Sequence, residues 1–244
     1  ALPIEGKRTL IRVDLNVPLE DGSIADDSRI VAALPTIRHA VSRGARVILV
    51  SHLGRPKGNV VPSLSLAPVG EYLAEALNTE ILLPDTPIGD SAMRLAASLR
   101  DGQVLLLENI RFDEGETKNT DACSRALAEM ADCFVNDAFG AAHRAHASTV
   151  GVTNHIRDKA VGFLMAKEVK ALQNLLDAPK AGFVAILGGA KVSDKIKVIN
   201  RLLDRVDTLL IGGAMAYTFL RAKGVEVGSS RIEVEHIETA KAVL

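Results

Sequence analysis

A basic cluster lies between Asn136 and Thr149, where the sequence reads NDAFGAAHRAHAST and places His143, Arg144 and His146 among alanines and glycines. Side chains of these types can bind a metal ion, serve as the base for a nucleophile, bind an anion or lie on a surface without a role. The two histidines are three residues apart, but Arg144 would repel a cation, and no set of further metal ligands lies beside them. No G-x-S-x-G nucleophile motif accompanies them. Anion binding is the favoured interpretation, with a metal site as the minor alternative.

Further basic side chains follow other predicted strands. His52 and Arg55 follow one strand, and Arg111 follows another. Arg29 joins them if the first turn of its helix faces the same edge of the sheet. Guanidinium groups bind the oxygens of phosphate and carboxylate groups in pairs, so several arginines at one edge indicate a site for a small, highly charged anion. A single arginine is more often a surface ion pair, but that explanation weakens as more of them converge.

Glycine-rich turns follow the predicted strands of the second half. Gly188 and Gly189 would let the backbone approach a ligand, and we expect a helix to begin just beyond them, with free N–H groups that suit phosphate. Lys191 and Lys195 are four residues apart and are expected on one face of that helix. The spacing is not that of a Walker A loop. The Gly212–Gly213 turn is as consistent with tight packing of a strand on a helix as with a nucleotide contact.

A parallel sheet would bring these loops together. Short runs of Val, Ile and Leu alternate with amphipathic helical patterns, which predicts a three-layer αβα sheet of the doubly wound, Rossmann-like type. Ligands bind such sheets at the carboxyl ends of the strands. The predicted strands are Thr9–Val13, Arg46–Val50, Glu80–Leu83, Val104–Leu107, Cys133–Val135, Phe183–Leu187 and Thr208–Ile211. The predicted helices are Ser28–Arg43, Leu66–Leu77, Asp121–Met130 and Leu164–Leu176.

The order of these elements predicts a complete α/β domain over residues 1–162 and a connecting helix and hinge over residues 163–178. A break rich in proline and glycine, DAPKAG at residues 177–182, follows that helix. Residues 179–244 then begin a second α/β domain, which has only two clear strands. Two strands cannot enclose a normal α/β core, so we expect this domain to be truncated and the chain to be the front part of a longer protein.

The composition excludes several classes of function. A net charge of −1, 3% aromatic residues and no Trp argue against a general nucleic-acid binder. The longest apolar runs are too short to span a bilayer, so no membrane partner is expected. Cys123 and Cys133 have no C-x-x-C spacing and are expected to be reduced thiols. We therefore expect a cytoplasmic protein.

The chain resembles the phosphoglycerate kinase family over essentially its whole length. The segments that carry the resemblance occur in the family's order, and they are RVDLNVPL at 12–19, SHLGRPKG at 51–58, LLLENIRFDEGE at 105–116, VNDAFGAAHRAHAST at 135–149, GFLMAKEVKAL at 162–172 and LGGAKVSDKI at 187–196. The resemblance implies reversible phosphoryl transfer in glycolysis, from 1,3-bisphosphoglycerate to ADP, which gives 3-phosphoglycerate and ATP. It also implies a monomer whose two domains close around their substrates.

The resemblance implies roles for particular residues. The implied phosphoglycerate-binding residues are Asp14, Asn16, Arg29, His52, Leu53, Gly54, Arg55, Arg111 and Arg144. The implied nucleotide-binding residues are Gly188, Gly189, Lys191, Lys195, Gly212 and Gly213. Arg29 and Lys191 are implied to contact the transferring phosphoryl group and are the catalytic candidates, whereas His143 and His146 are expected to support the site. Phosphoryl transfer depends on positioning and charge neutralisation, and an attacking carboxylate needs no general base.

The family's later motifs are absent from these 244 residues. They are a nucleotide-contacting glutamate, a W-N-G-P segment and a G-G-G-D-T turn whose aspartate binds Mg²⁺. The resemblance thus implies Mg²⁺ as the cofactor, bound with ATP or ADP, and places its protein ligand outside this chain. We expect this chain alone to have little or no activity. The alternative is a non-catalytic chain that binds phosphoglycerate.

Overall fold

The computed structural model describes residues 2–177 and 182–244. The chain divides into two compact units, Ala1–Ala171 and Leu172–Leu244, which we call unit 1 and unit 2. The predicted break at residues 177–182 lies mostly outside the described residues, as does residue 178 of the predicted hinge. No helix in the described part of the chain is both long enough and apolar enough to cross a membrane.

Unit 1 contains strands and helices in alternating order. Its strands are β1 (Arg8–Arg12), β2 (Leu19–Glu20), β3 (Ser23–Ile24), β4 (Arg46–Val50), β5 (Ile81–Leu82), β6 (Val104–Leu106), β7 (Cys133–Asn136) and β8 (Lys159–Val161). Its helices are α1 (Ser28–Ser42), α2 (Ala67–Leu77), α3 (Asp90–Ser98), α4 (Glu114–Lys118) and α5 (Asp121–Glu129). Helix α6 (Phe163–Asp177) contains the division between the units.

A six-stranded parallel sheet is the centre of unit 1, with the strand order β5-β6-β4-β1-β7-β8. This confirms the predicted α/β class. The chain winds from β1 through β4 to the β5–β6 edge and then returns to the other side of β1, where it forms β7 and β8. The sheet therefore reverses its winding direction next to β1, and this is the position at which open α/β sheets bind ligands.

The core of unit 1 has two layers because the buried strands direct successive side chains to opposite faces. Ile11 and Leu49 pack with α1 and α2 on one face. Leu10 and Ile48 pack with α3 and α5 on the other. A sheet that is covered on both faces is expected to have strands made of continuous runs of apolar residues.

Some elements of unit 1 were not predicted from the sequence. Strand β8 pairs with β7 at the edge of the sheet, and all three of its residues are exposed. It has no apolar run because neither of its faces is buried. The β2–β3 hairpin has two residues in each strand and is likewise too short to show a periodic pattern.

Unit 2 contains the parallel pair β9 (Val184–Gly188) and β10 (Thr208–Gly212), with helices α7 (Ile196–Leu203), α8 (Met215–Ala222) and α9 (Ile237–Val243). Its core is small, and its fully buried apolar side chains include Val192, Ile199 and Met215. Apolar side chains of both strands remain exposed, such as Ile186, which is 76% exposed.

The prediction of a helix directly after Gly189 was wrong. Helix α7 begins only at Ile196, so Lys191 lies in a loop and Lys195 is the residue that precedes the helix. The two lysines therefore do not share a helix face. The loop is held by a distant carboxylate, because Glu233 accepts hydrogen bonds from the backbone N–H groups of Val192 and Ser193.

Candidate functional site

The predicted anion-binding residues of unit 1 come from loops at one edge of the sheet. Asp14 and Asn16 follow β1, the segment His52–Arg55 follows β4, Arg111 follows β6 and Arg144 follows β7. These four strands are neighbours in the order β6-β4-β1-β7, and their carboxyl ends lie at the same edge because they are parallel. The fold thus brings together residues that are up to 130 positions apart in the sequence, from Asp14 to Arg144.

Three of the four arginines predicted to bind the anion, Arg55, Arg111 and Arg144, line one cavity of about 310 Å³. The residues that line it are Arg55, Lys57, Arg111, Glu114, Thr117, Lys118, Arg144 and His146. Five of these side chains are cationic at neutral pH and one is a carboxylate. That carboxylate, Glu114, already forms an ion pair of 2.6 Å with Lys118. The cavity therefore has an excess of positive charge, which suits a small anion with more than one negative charge.

Arg111 lines the cavity, although most of the residue is buried. Its Nη1 donates to the carbonyl of Gly54 at 2.7 Å, whereas its Nε has no hydrogen-bond partner within the described part of the chain. Burial, and then the charges of Arg144 and Arg12, lower the pKa of Arg111. A buried donor without a partner carries a desolvation cost.

Arg12, which was not predicted as a site residue, lies beneath the loops. It is the last residue of β1 and is fully buried. Its Nε donates to Ser148 Oγ at 2.8 Å, its Nη2 lies 3.0 Å from His52 Nδ1, and its Nη1 donates to the carbonyl of Val13. The sequence signal for a role of Arg12 was its position at the end of a strand, because a cation in a buried strand needs partners from the nearby loops.

His52 is a neutral hydrogen-bond donor because of Arg12. A guanidinium group has no acceptor, so Nδ1 of His52 must accept from Arg12 and the ring proton must lie on Nε2. Burial lowers the pKa of His52 to about 2, and the charges of Arg12, Arg111, Arg144 and Arg29 act in the same direction. His52 therefore provides an Nε2–H group without adding charge.

A buried carboxylate, Glu116, fixes the loop that carries Arg144. It accepts from the backbone N–H of Ser148 at 2.9 Å and from Ser148 Oγ at 2.8 Å, and its Oε1 lies 3.4 Å from His146 Nδ1. Burial alone would raise the pKa of Glu116, but hydrogen bonds from His146 and Ser148 and the charge of Arg12 hold it below its ordinary value. His146 thus lies between this carboxylate and the cavity, whereas His143 is exposed and contacts Arg144.

Arg29 lies at a second cavity of about 240 Å³, which Asp14 also lines. Its Nη1 forms a 2.9 Å ion pair with Asp14 Oδ2. Arg29 is therefore at the predicted edge of the sheet, but it does not line the cavity of Arg55, Arg111 and Arg144.

The loop after β4 is held by two asparagines. Asn16 Oδ1 accepts from the backbone N–H of Gly54 at 2.8 Å. Asn109 Oδ1 accepts from the N–H of Leu53 at 3.1 Å, and its Nδ2 donates to the Leu53 carbonyl at 2.7 Å. Leu53 is itself buried. Leu53, Gly54 and Asn16 thus shape the loop beside the arginine-lined cavity.

The predicted nucleotide-binding glycines of unit 2 lie at the ends of β9 and β10. Gly213 has a φ of +70°, and a Cβ there would lie 2.8 Å from the Gly189 carbonyl oxygen, so this glycine is needed for the two turns to pack together. A Cβ at Gly188 would meet no atom within 4 Å, and one at Gly212 would make only an ordinary contact. Packing therefore explains Gly213, whereas it does not require glycine at Gly188 or Gly212.

The described residues do not supply a magnesium site beside these glycines. Glu233, Glu235 and His236 are the one group of potential metal ligands within reach of one another in the described part of the chain. Glu233 already accepts from Ser193 Oγ at 2.7 Å, as well as from the two backbone N–H groups of the loop before α7. Its carboxylate stabilises that loop, and the group does not fit the implied cofactor.

A family model described as phosphoglycerate kinase matches residues 1–244. The chain belongs to the phosphoglycerate kinase family. It is 51% identical to a phosphoglycerate kinase of Clostridium botulinum (strain Okra / Type B1) and 53% identical to one of Clostridium novyi (strain NT). Each alignment covers 100% of this chain and 62% of the relative. The chain thus spans about 62% of the length of these phosphoglycerate kinases.

Solved structures support the same family. A phosphoglycerate kinase from Coxiella burnetii superposes with a TM-score of 0.87 at 44% identity, covering 99% of this chain and 61% of that one. A phosphoglycerate kinase from Pyrococcus horikoshii OT3 superposes with a TM-score of 0.83 at 32% identity, covering 99% and 63% respectively. The fold prediction and the family resemblance are therefore confirmed, whereas the roles of individual residues remain predictions.

Proposed function

We propose that this chain provides the phosphoglycerate-binding part and some of the nucleotide-binding part of an enzyme that transfers a phosphoryl group between 1,3-bisphosphoglycerate and ADP. Membership of the phosphoglycerate kinase family supports this proposal. The single observation that carries it is the convergence of Arg55, Arg111 and Arg144 on one cavity of unit 1.

In the proposed binding mode, the arginine-lined cavity holds the phosphate group of the substrate. Arg111 and Arg144 both line the cavity, and their guanidinium groups carry several N–H donors for phosphate oxygens. His52 adds the neutral Nε2–H donor. The opposite, reacting end of phosphoglycerate would then lie towards Arg29, whose ion pair with Asp14 keeps its guanidinium at the edge of the sheet.

The proposed reaction in the direction of ATP use forms one bond and breaks one. A carboxylate oxygen of 3-phosphoglycerate attacks the γ-phosphorus of ATP, and the bond from that phosphorus to the oxygen bridging to the β-phosphate breaks, which releases ADP. The carboxylate is already ionised, so no general base is required. Arg29 and Lys191 are the proposed cations that neutralise the transferring group, and closure of the two domains is proposed to exclude water from it. Mg²⁺ bound with the nucleotide is the proposed cofactor. The enzyme is further proposed to be a cytoplasmic monomer that acts in glycolysis.

Calorimetric titration of the chain with 3-phosphoglycerate tests the binding part of this proposal. We expect saturable binding of one molecule per chain, with weaker binding of D-glycerate, which has the carboxylate but lacks the phosphate group. Equal affinity for the two ligands, or no binding of either, would contradict a phosphate site formed by the arginines.

A second candidate function is phosphoglycerate binding without catalysis. The small sheet of unit 2 favours this second function. Its strands carry exposed apolar side chains, such as Ile186, so the described residues of unit 2 bury these strands incompletely. Titration with Mg-ATP separates the two candidates. Binding of 3-phosphoglycerate without binding of Mg-ATP would favour this second function, and turnover by the 244-residue chain would exclude it.

A further inference from the structure

A strained turn places Lys57 at the arginine-lined cavity. Lys57 and Gly58 have φ values of +59° and +82°, and the backbone N–H of Asn59 donates to the Pro56 carbonyl at 3.3 Å. Two central residues with positive φ and this closing hydrogen bond are the features of a type I′ turn. Asn, Asp and Gly are the residues preferred at its first central position, because a side chain with a β-carbon is disfavoured at positive φ. Lys57 stands at that position instead.

The turn is fixed to the wall of the cavity. The backbone N–H of Gly58 donates to the carbonyl of Arg111 at 3.1 Å. A Cβ at Gly58 would lie 2.7 Å from Glu114 Cβ, so only glycine fits the second central position. The side chain of Asn59 also donates to the Pro56 carbonyl, at 3.3 Å. The turn that carries Lys57 is therefore hydrogen-bonded to the backbone of Arg111, another residue that lines the cavity.

Lys57 and Lys118 both line the cavity, but their surroundings differ. Lys118 forms a 2.6 Å ion pair with Glu114. Within residues 2–177 and 182–244, no carboxylate lies within 4.0 Å of the Lys57 ammonium group. The charge of Lys57 is thus available to an anion in the cavity, whereas the charge of Lys118 is already neutralised.

We propose that Lys57 is an additional phosphate-binding residue of this site, held in place by a backbone conformation that its own side chain disfavours. The inference rests on the proposed function, since it assumes that the cavity takes the phosphate group of phosphoglycerate. Disfavoured backbone conformations that persist in folded proteins are concentrated at functional sites, and a lysine adds to the arginines a compact positive charge suited to a phosphate dianion.

The test compares variants that keep the turn but differ in charge. Lys57→Asn and Lys57→Gly introduce residues that the turn prefers, whereas Lys57→Arg retains a cation. Lys159→Gln is the matched control, because it removes an exposed lysine of unit 1 that does not line the cavity. Calorimetry with 3-phosphoglycerate and with inorganic phosphate gives the affinities, and thermal melting reports on the fold.

We expect Lys57→Asn and Lys57→Gly to weaken binding of both ligands by about fivefold, the size of a good exposed ion pair. Lys57→Arg should keep the affinity of the wild type, and Lys159→Gln should change it by less than about twofold. The melting temperatures of the Asn and Gly variants should equal or exceed that of the wild type, because the strain is relieved.

Three results would overturn the inference: unchanged affinity in Lys57→Asn, an equal loss in Lys159→Gln, or a lower melting temperature in both Lys57→Asn and Lys57→Gly. Failure of this inference can be told apart from failure of the proposed function by Arg144→Ala. If that variant loses affinity and Lys57→Asn does not, only the role of Lys57 is wrong. If the wild type binds neither ligand, the proposed phosphate site itself is wrong.

Discussion

The buried imidazole of His52 makes the stability of unit 1 depend on pH. Burial and the surrounding arginines lower its pKa from 6.5 to about 2 in the folded chain. In the unfolded chain the imidazole binds a proton near its ordinary pKa, so below pH 6.5 the unfolded state binds more protons than the folded state. The stability that the neutral ring contributes is therefore fully present above pH 6.5 and is lost as the pH falls towards 2.

The size of the effect follows from the difference in bound protons. One proton changes the free energy of unfolding by about 1.4 kcal/mol per pH unit, so the contribution lost between pH 6.5 and pH 5 is about 2 kcal/mol. Replacing His52 by Asn removes the titrating ring, and the amide oxygen can still accept from Arg12. The smaller side chain lowers stability at neutral pH, so the informative quantity is the pH dependence.

The assay is urea unfolding, followed by circular dichroism, of the wild type and of His52→Asn at pH 7.5 and pH 5. We expect the wild type to lose about 2 kcal/mol more than the variant over this range. His143→Asn is the matched control, because it makes the same substitution at an exposed histidine and should behave like the wild type. An NMR titration of the His52 ring should show no protonation down to pH 5. Equal losses in the wild type and His52→Asn, or a ring that titrates near pH 6.5, would refute the reasoning.

Three further predictions concern the anion site and the packing of each unit. Arg144→Ala should weaken 3-phosphoglycerate binding in calorimetry by about 1.5–3 kcal/mol, the range for hydrogen bonds to charged groups. Arg125→Ala should leave the binding unchanged. An unchanged dissociation constant in Arg144→Ala would remove Arg144 from the site. Gly162→Ala should lower the free energy of urea unfolding by about 2–4 kcal/mol. The new Cβ would lie 2.3 Å from Cγ of the buried Asp137, and Asp137 accepts a hydrogen bond from the Met165 N–H at the start of α6. Gly70→Ala, with its nearest contact at 3.7 Å, should be tolerated, and equal effects would contradict the steric argument. Glu233→Gln should speed the hydrogen exchange of the Val192 and Ser193 amides, whereas Glu235→Gln should leave their exchange rates unchanged. The same rates in the wild type and both variants would show that Glu233 does not hold the loop before α7.

The buried strands could be predicted from the sequence because their environment is uniform. The run at Arg46–Val50 was predicted with the bounds that the structure has, since a strand covered on both faces needs apolar residues at nearly every position. Strand β8 could not be found in this way, because its residues Lys159–Val161 lie at an exposed edge and are ordered by pairing with β7. Edge pairing leaves no periodic signal in the strand itself.

The predicted binding residues and the residues that support them differ in how visible they are in the sequence. Arginines in loops after strands, such as Arg111, could be predicted as binding candidates because ligands bind at that edge of a parallel sheet. Glu116 could not, because its role arises from buried contacts with Ser148, which lies 32 positions further along the chain. The signal for Arg12 was only its place near the end of a predicted strand, since its partner Ser148 is also distant in the sequence. The loop before α7 was mistaken for a helix for the same reason, since the carboxylate that holds it, Glu233, lies about 40 residues further along the chain.

The most direct test of the central claim is an experimental structure of the chain with 3-phosphoglycerate. We expect the phosphate group to lie in the cavity of unit 1, with its oxygens within hydrogen-bonding distance of Arg111 and Arg144. A phosphate group bound outside this cavity, or a carboxylate bound to these arginines in its place, would contradict the proposed phosphate site.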